Sequence, residues 1–361
     1  MIELQYDVER NPIISVVIDG KVIDKILFIG DPHLGRRFIT GVPSHRVGDR
    51  EAYVYSQFSR LLDVDNDPLI TKIVIVGDLF DKFVVSPTVT FEAYKMLSQV
   101  PDDIDVYLIP GNHDLSKDTT KVSSFQLLTQ ILEPMSNNIH VVTTSGSYPV
   151  YYNNAKDVLN LYFDCYNPFT DCIVNYDLET IAKSGPIISV GHWDSLSILE
   201  RGYVPHQDIL THSTIIVSGH EHTYREYTYP FDKTKSKVLF TGSMQPYSHA
   251  EDPDGDIYIT INEKDPSKYD LTKDLKYKCV RIECGPLFVL SDPIECFALT
   301  YKVIAKEKAE VEVDIESVDV DNYNETLKNW VVSNKDLSKE LQKEFPNLKI
   351  ASIGPTIKFP H

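Results

Sequence analysis

The sequence predicts an α/β protein with a two-layered or sandwiched core. Three observations carry this. Short, wholly apolar runs recur through the first 260 residues, the mark of strands buried on both faces. The first of them alternate with stretches of helical apolar spacing, giving a β-α-β-α-β order up to about residue 109. Beyond residue 139 the chain becomes strand-rich.

Residues 13–18, Asp19-Gly20 and 21–23 read as a β-hairpin with a type I′ turn. They form an N-terminal extension, residues 1–24, which could be an added edge strand or an oligomer contact. Residues 25–30 are the first buried strand, followed by a loop over 34–48. Tyr53, Phe58, Leu61 and Leu62 mark a helix over 49–62. A strand at 72–76 leads to a helix at 87–99, with Pro87 in its first turn. Next come a strand at 104–109 and a helix at 121–132, stopped before Pro134. Strands follow at 139–152, 158–165, 187–190, 214–218 and 237–241, with a short helix at 176–183. Residues 256–262 and 277–284 alternate and read as an antiparallel pair. A boundary near Gly285-Pro286 separates a main domain, 25–285, from a smaller α+β domain, 286–361. The smaller one carries strands at 294–304 and 309–315 and helices at 323–331 and 335–345.

Composition narrows the function. The 361 residues are 42% hydrophobic and 24% charged, ordinary for a soluble globular chain. No apolar run is long enough to span a bilayer, and the start lacks the features of a signal peptide. Five cysteines without a C-x-x-C pair point to a reducing, cytoplasmic setting. A formal charge of −18 argues against unaided nucleic-acid binding. Bound divalent metals would reverse the sign locally. So would Arg36, Arg37, Arg46 and Arg50, read either as a solvated loop or as phosphate contacts.

Chemistry gathers where apolar runs end in glycine. The five endings are Gly30-Asp31-Pro32-His33, Gly77-Asp78-Leu79-Phe80-Asp81, Gly111-Asn112-His113-Asp114, Gly191-His192-Trp193 and Gly219-His220-Glu221-His222. Ligands in α/β proteins collect outside the carboxyl ends of strands. Asp31, His33, Asp78, Asn112, His192, His220 and His222 can therefore converge. Seven O and N donors exceed one tetrahedral zinc and suit two metals sharing a carboxylate. Such a donor set favours Mn, Fe or Zn over Ca or Mg. His140, His206, His212 and His249 lack the glycine-strand setting and read as packing or surface residues. Trp193 reads as wall packing rather than a base-stacking platform.

The ordered set Gly-Asp-x-His, Gly-Asp-x-x-Asp, Gly-Asn-His-Asp, Gly-His and Gly-His-x-His resembles the calcineurin-like metallophosphoesterases over roughly residues 25–260. That resemblance implies a four-layered α/β/β/α sandwich with a small capping domain. It implies one metal on Asp31, His33, Asp78 and His222, and a second on Asp78, Asn112, His192 and His220. It makes His113 the group that protonates the leaving oxygen or orients the phosphate. Asp81 would hold the other ring nitrogen of His113, and Asp114 would stabilise its turn.

Asp81-Lys82-Phe83 and Asn112-His113-Asp114 depart from the Ser/Thr phosphatase pattern. Asp31-Pro32-His33-Leu34-Gly35, Gly77-Asp78-Leu79-Phe80-Asp81, Gly191-His192-Trp193, Ser218-Gly219-His220-Glu221-His222-Thr223 and Thr241-Gly242-Ser243-Met244-Gln245-Pro246 are similar to the SbcD-type branch. That branch is the nuclease subunit of the meiotic-recombination-eleven/SbcCD complex and its phage relatives. The branch implies a Mn²⁺-dependent DNA exonuclease or single-strand endonuclease, with Mg²⁺, Fe²⁺ or Zn²⁺ as alternative metals. It implies a homodimer, an SbcC-type ABC/SMC-like ATPase partner and no membrane. A phage-encoded protein acting in the host cytoplasm fits it. The cap-like helices lie close to residues 350–361, so the segment that docks the ATPase is expected to be shortened or absent. Two other functions remain open at this point: a phosphoesterase for a small nucleotide or phosphate ester, and a scaffold without catalysis on the same fold.

Overall fold

In the first of three sheets, sequential strands lie side by side: β1 (Ile2–Tyr6), β2 (Ile13–Ile18), β3 (Lys21–Ile29), β4 (Ile70–Val76), β5 (Asp105–Ile109) and β6 (Ile139–Val141). The computed structural model describes residues 1–304 apart from 8, 119, 153–156, 170–173, 175, 195–202, 229–235, 263–274, 287, 289 and 291–293. Residues 1–304 cluster as one unit and 305–361 as another. The elements expected beyond residue 304 lie outside the described residues.

β1, β2 and β3 pair antiparallel, and β3 to β6 pair parallel. Asp19 and Gly20 turn the β2–β3 hairpin at φ 51° and 75°, as a type I′ turn requires. β3 continues unbroken from that turn to the first glycine motif, so β1 and β2 widen the main sheet at its edge.

The second sheet has the order β11-β12-β10-β9-β8-β7. Its strands are β7 (Gly146–Tyr152), β8 (Asp157–Asp164), β9 (Ile187–Gly191), β10 (Ile215–Ser218), β11 (Arg225–Thr228) and β12 (Lys237–Phe240). β8, β9, β10 and β12 are mutually parallel.

Three helices cover the first sheet. α1 (Asp49–Leu62) buries Arg50, Val54, Phe58 and Leu62, a stripe at i, i+4, i+8 and i+12. α2 (Pro87–Leu97) starts with Pro at its first position and the Ser86 side chain accepting from the Val89 N–H. α3 (Ser124–Leu132) begins three residues later than its apolar spacing suggests. There Ser123 and Gln126 form a reciprocal capping box that sets the first turn. α4 (Leu178–Ser184) and α5 (Gln207–His212) cover the second sheet.

The apolar runs explain the layers. On β3, Leu27 and Ile29 face the helices with Val54, Phe58 and Leu128, while Ile26 and Phe28 face the second sheet. Leu159, Leu161, Val190 and Val217 meet them from that sheet. Its outer face packs Ile187, Ile216 and Val238 on Leu178, Ile209 and Leu210. The result is an α/β/β/α sandwich. Both faces of each central strand are dry, and each fully buried aliphatic side chain contributes about 1.5–3 kcal/mol.

The third sheet, β13 (Tyr258–Asn262), β14 (Cys279–Cys284) and β15 (Ala298–Val303), corrects one expectation. β13 and β14 pair parallel, from Tyr258↔Cys279 to Asn262↔Glu283. Alternation reports which face is buried, not strand direction; residues 263–278 supply a connection long enough for a parallel crossover. The boundary expected at Gly285-Pro286 lies between β14 and β15, which are paired.

Candidate metal centre

All five glycine turns open at one edge of the sandwich, because parallel pairing aligns the strand ends. Ile29 pairs with Ile75, Val76 with Ile109, and Ser218 with Gly191. Asp31, His33, Asp78 and His220 lie in the left-handed region, at φ 39°, 46°, 47° and 75°. Such backbone costs on the order of 1–3 kcal/mol per residue and persists where surroundings over-determine it. The turn is therefore made mainly by the residue after the glycine. Of the five turn glycines only Gly77 has a positive φ, 85°. The close approach is what demands glycine elsewhere: a Cβ on Gly111 would stand 2.2 Å from Asp78 Oδ1.

Asp78 sits at the centre. Its Oδ2 is 3.4 Å from His192 Nε2, 3.9 Å from His33 Nε2 and 3.9 Å from His113 Nε2. On one side His33 Nε2 and His222 Nε2 approach to 3.0 Å, with Asp31 beside them. On the other, Asn112 Oδ1 is 3.0 Å from His192 Nε2 and 2.9 Å from His220 Nδ1. All seven predicted donors are thus brought together, in two groups that meet at Asp78.

The outward ring nitrogens have partners of their own. His192 Nδ1 lies 2.9 Å from the Val76 carbonyl, which can only accept, so its Nε2 is left to face the centre. His222 Nδ1 is 3.3 Å from Glu251 Oε1, and His220 Nε2 is 2.7 Å from Asp194 Oδ1. Such partners set tautomer and ring orientation at metal-binding histidines. Asp194 and Glu251 escape the sequence reading. Asp194 stands two residues beyond His192 and offered a local signal; Glu251 offered none.

Burial pushes the Asp31 carboxyl up to about 7 and the His33 imidazole down to about 3. Burial also pushes Glu251 upward, but the hydrogen bonds from His222, the Tyr247 N–H and Ser248, together with the charge of His222, outweigh this and hold it at about 2. Divalent cations would relieve the cost at Asp31 and take up the neutral His33. Buried and half-buried N and O donors, gathered in two groups around one carboxylate, fit a pair of such ions.

His113 lies at the open side, its side chain 42% exposed. Its N–H donates to Asp78 Oδ1 at 2.7 Å. Its Nδ1 donates to the backbone carbonyl of Asp81 at 2.6 Å. The expected partner was the Asp81 carboxylate, which instead stands 3.8 Å from His33 Nδ1 and 3.7 Å from Arg36 Nη1. The backbone carbonyl reaches His113 first because residues 78–81 turn over the 111–114 loop. Asp114 ties those two turns together: its buried carboxylate accepts the N–H groups of Leu79, Phe80 and Gly111 at 3.0–3.1 Å.

The basic loop divides. Arg36 and Arg37 line an open groove of about 580 Å³ with Asp81, Lys82, Phe83, Asn112 and His113. Lys82 and Phe83 joined this groove without a sequence signal. Arg46 does not reach it: it is buried, bonded to Asp49 and the Lys276 carbonyl, with its guanidinium over Phe297. Arg50 is likewise buried, donating to Gln245 and the Pro246 carbonyl. Trp193 is 1% exposed and donates to Asp164, so it forms wall rather than platform.

Parts of this chain are similar to known proteins. The family model for calcineurin-like phosphoesterases matches residues 24–245. The DNA double-strand break repair protein Mre11 of Saccharolobus solfataricus is 38% identical over 96 residues, 26% of this chain and 23% of that protein. The protein of the same name from Sulfolobus acidocaldarius is 27% identical over 147 residues, 38% of this chain and 37% of its own. The chain thus matches well under half the length of these curated relatives. Among solved structures, a dimetal phosphatase from Danio rerio aligns with TM-score 0.39 and 11% identity, over 62% of this chain and 88% of the other. No helix among the described residues is long and apolar enough to cross a membrane.

Proposed function

The chain belongs to the calcineurin-like phosphoesterase family, and from that premise we propose that it is a two-metal DNA nuclease of the Mre11/SbcD kind. One observation carries the reading: six N and O donors close on the carboxylate of Asp78 while His113 and a rim of Arg36, Arg37 and Lys82 stand on the open side. Asp31, His33, Asp78 and His222 would hold one ion, and Asp78, Asn112, His192 and His220 would hold the other. Two such ions, when bound, neutralise a phosphoryl group and supply a nucleophile from water near neutral pH.

The protein's own groups do the rest. Arg36 and Arg37 bind backbone phosphates entering the groove. The Asp81 carbonyl keeps a proton on His113 Nδ1, so the exchangeable proton is the one on Nε2, which faces the centre. From there His113 protonates the departing oxygen of the phosphodiester. Mn²⁺ is the proposed metal. A homodimer and an SbcC-type ATPase partner belong to the same proposal, as does a cap formed by the chain from residue 286 onward.

The test is Mn²⁺-dependent degradation of linear duplex and single-stranded DNA by the full chain, with and without such an ATPase. Intact DNA alongside brisk hydrolysis of a phosphomonoester would establish the second reading, a phosphoesterase for small esters. The net charge of −18 favours that alternative.

A further inference from the structure

Arg10 and Asn11 have no role in the nuclease reading, yet they reach the metal centre from behind. Arg10 is the contact. Its Nη1 donates to the carbonyls of His222 at 3.1 Å and Ser243 at 2.8 Å, and its Nη2 donates to the carbonyl of Glu251 at 2.9 Å. Asn11 follows in the left-handed region, at φ 58°. Its side chain accepts the Gly30 N–H at 3.2 Å and donates to the Met244 carbonyl at 3.0 Å. Its own N–H bonds the Thr241 carbonyl at 3.1 Å. Two consecutive residues therefore join the first glycine turn, the His222 turn and the 241–251 loop.

We propose that Arg10 is a positioning residue for the metal centre: its guanidinium holds the His222 and Glu251 backbones in register, so that Glu251 meets His222 Nδ1 and Nε2 points inward. The fork spans two loops that are distant in the sequence. Glu251 lies 29 residues beyond His222, and the ion pair of 3.3 Å between them depends on two loops keeping their spacing. The Glu251 carboxylate is itself held by the Tyr247 N–H and the Ser248 hydroxyl, both at 2.9 Å. The Ser243 N–H ties the start of that loop to the His222 carbonyl at 3.1 Å, and Arg10 joins the same carbonyl directly to Glu251. A planar guanidinium can serve carbonyls in different directions at once; an ammonium is a point charge without that fork. This inference rests on the two-metal reading above.

The test is Mn²⁺ titration of the full chain by calorimetry, with thermal unfolding followed in parallel. The wild-type protein is expected to take two ions. Arg10→Ala is expected to weaken one of them about tenfold, as loss of a partner behind a ligand does, and to leave the other unchanged. His222→Ala identifies the affected ion, since both variants should act on the same one. Arg10→Lys should recover little of the loss, and it replaces Arg10→Ala as the measured variant if the latter does not fold. Two ions at wild-type affinity in the Arg10 variant would overturn the proposal. So would equal weakening of both ions with a lowered melting temperature, which marks a general structural role. A wild-type chain that binds fewer than two ions would overturn the two-metal reading itself, a separate result.

Discussion

His113 and Asp81 meet through the backbone: the imidazole Nδ1 donates to the Asp81 carbonyl, 2.6 Å away, while the Asp81 carboxylate faces His33 and Arg36. The identity of side chain 81 is therefore not what sets the His113 tautomer. Asp81→Asn is expected to keep most of the DNA cleavage, within about tenfold of wild type. His113→Ala should abolish cleavage with Mn²⁺ content unchanged, since it removes the proton donor and no predicted ligand. Steady-state cleavage and metal analysis check both. An active His113→Ala, or an Asp81→Asn as dead as it, would remove this arrangement from the mechanism.

The arginines of the basic loop should separate by measurement. Arg36→Ala is expected to weaken DNA binding and reduce the slope of log affinity against log salt by about 1, the loss of a single phosphate contact. Arg46→Ala should leave the slope alone and lower stability, because it strips the Lys276 carbonyl and Asp49 of their partner. Equal slopes for Arg36→Ala and wild type would take Arg36 out of the substrate path.

Asp114 is a structural prediction. Its carboxylate accepts three buried N–H groups, and each left unsatisfied costs about 1–3 kcal/mol. Asp114→Ala should therefore lose about 3 kcal/mol or more in urea unfolding. A loss below about 0.5 kcal/mol, the range of ordinary surface substitutions, would contradict the tie between the two turns.

Gly111→Ala tests close approach. The new methyl would lie 2.2 Å from Asp78 Oδ1 and 2.4 Å from its backbone nitrogen, so the central carboxylate must move. Mn²⁺ stoichiometry and affinity should both fall. Two ions bound at wild-type strength would show that the turn has slack.

Metal should also stabilise the fold, since the donors converge only in the native state. At free Mn²⁺ a hundredfold above its dissociation constant, each site adds about 2.7 kcal/mol. A chelator should reverse the gain. An unfolding midpoint indifferent to Mn²⁺ would count against a built metal centre.

The α/β class, the central strands and the seven candidate donors are legible in the sequence. The reason is local. A strand dry on both faces is apolar at every position, as 26–29 and 73–76 are, or gives its polar side chain a buried partner, as Ser189 has in Ser213, and a glycine followed by Asp, Asn or His marks where it leaves the core. The relationships that packing alone sets join residues far apart in the chain. Glu251 behind His222, Asp194 behind His220 and Arg10 behind both His222 and Glu251 are partners that no spacing announces. Nor does composition distinguish Arg36, on the groove, from Arg46, in the core. Strand direction in the third sheet was likewise undecided, since alternation encodes burial alone. A side chain's hydrophobicity is written at its own position, whereas its hydrogen-bond partner is set by which loops the packed sheets bring to the same edge.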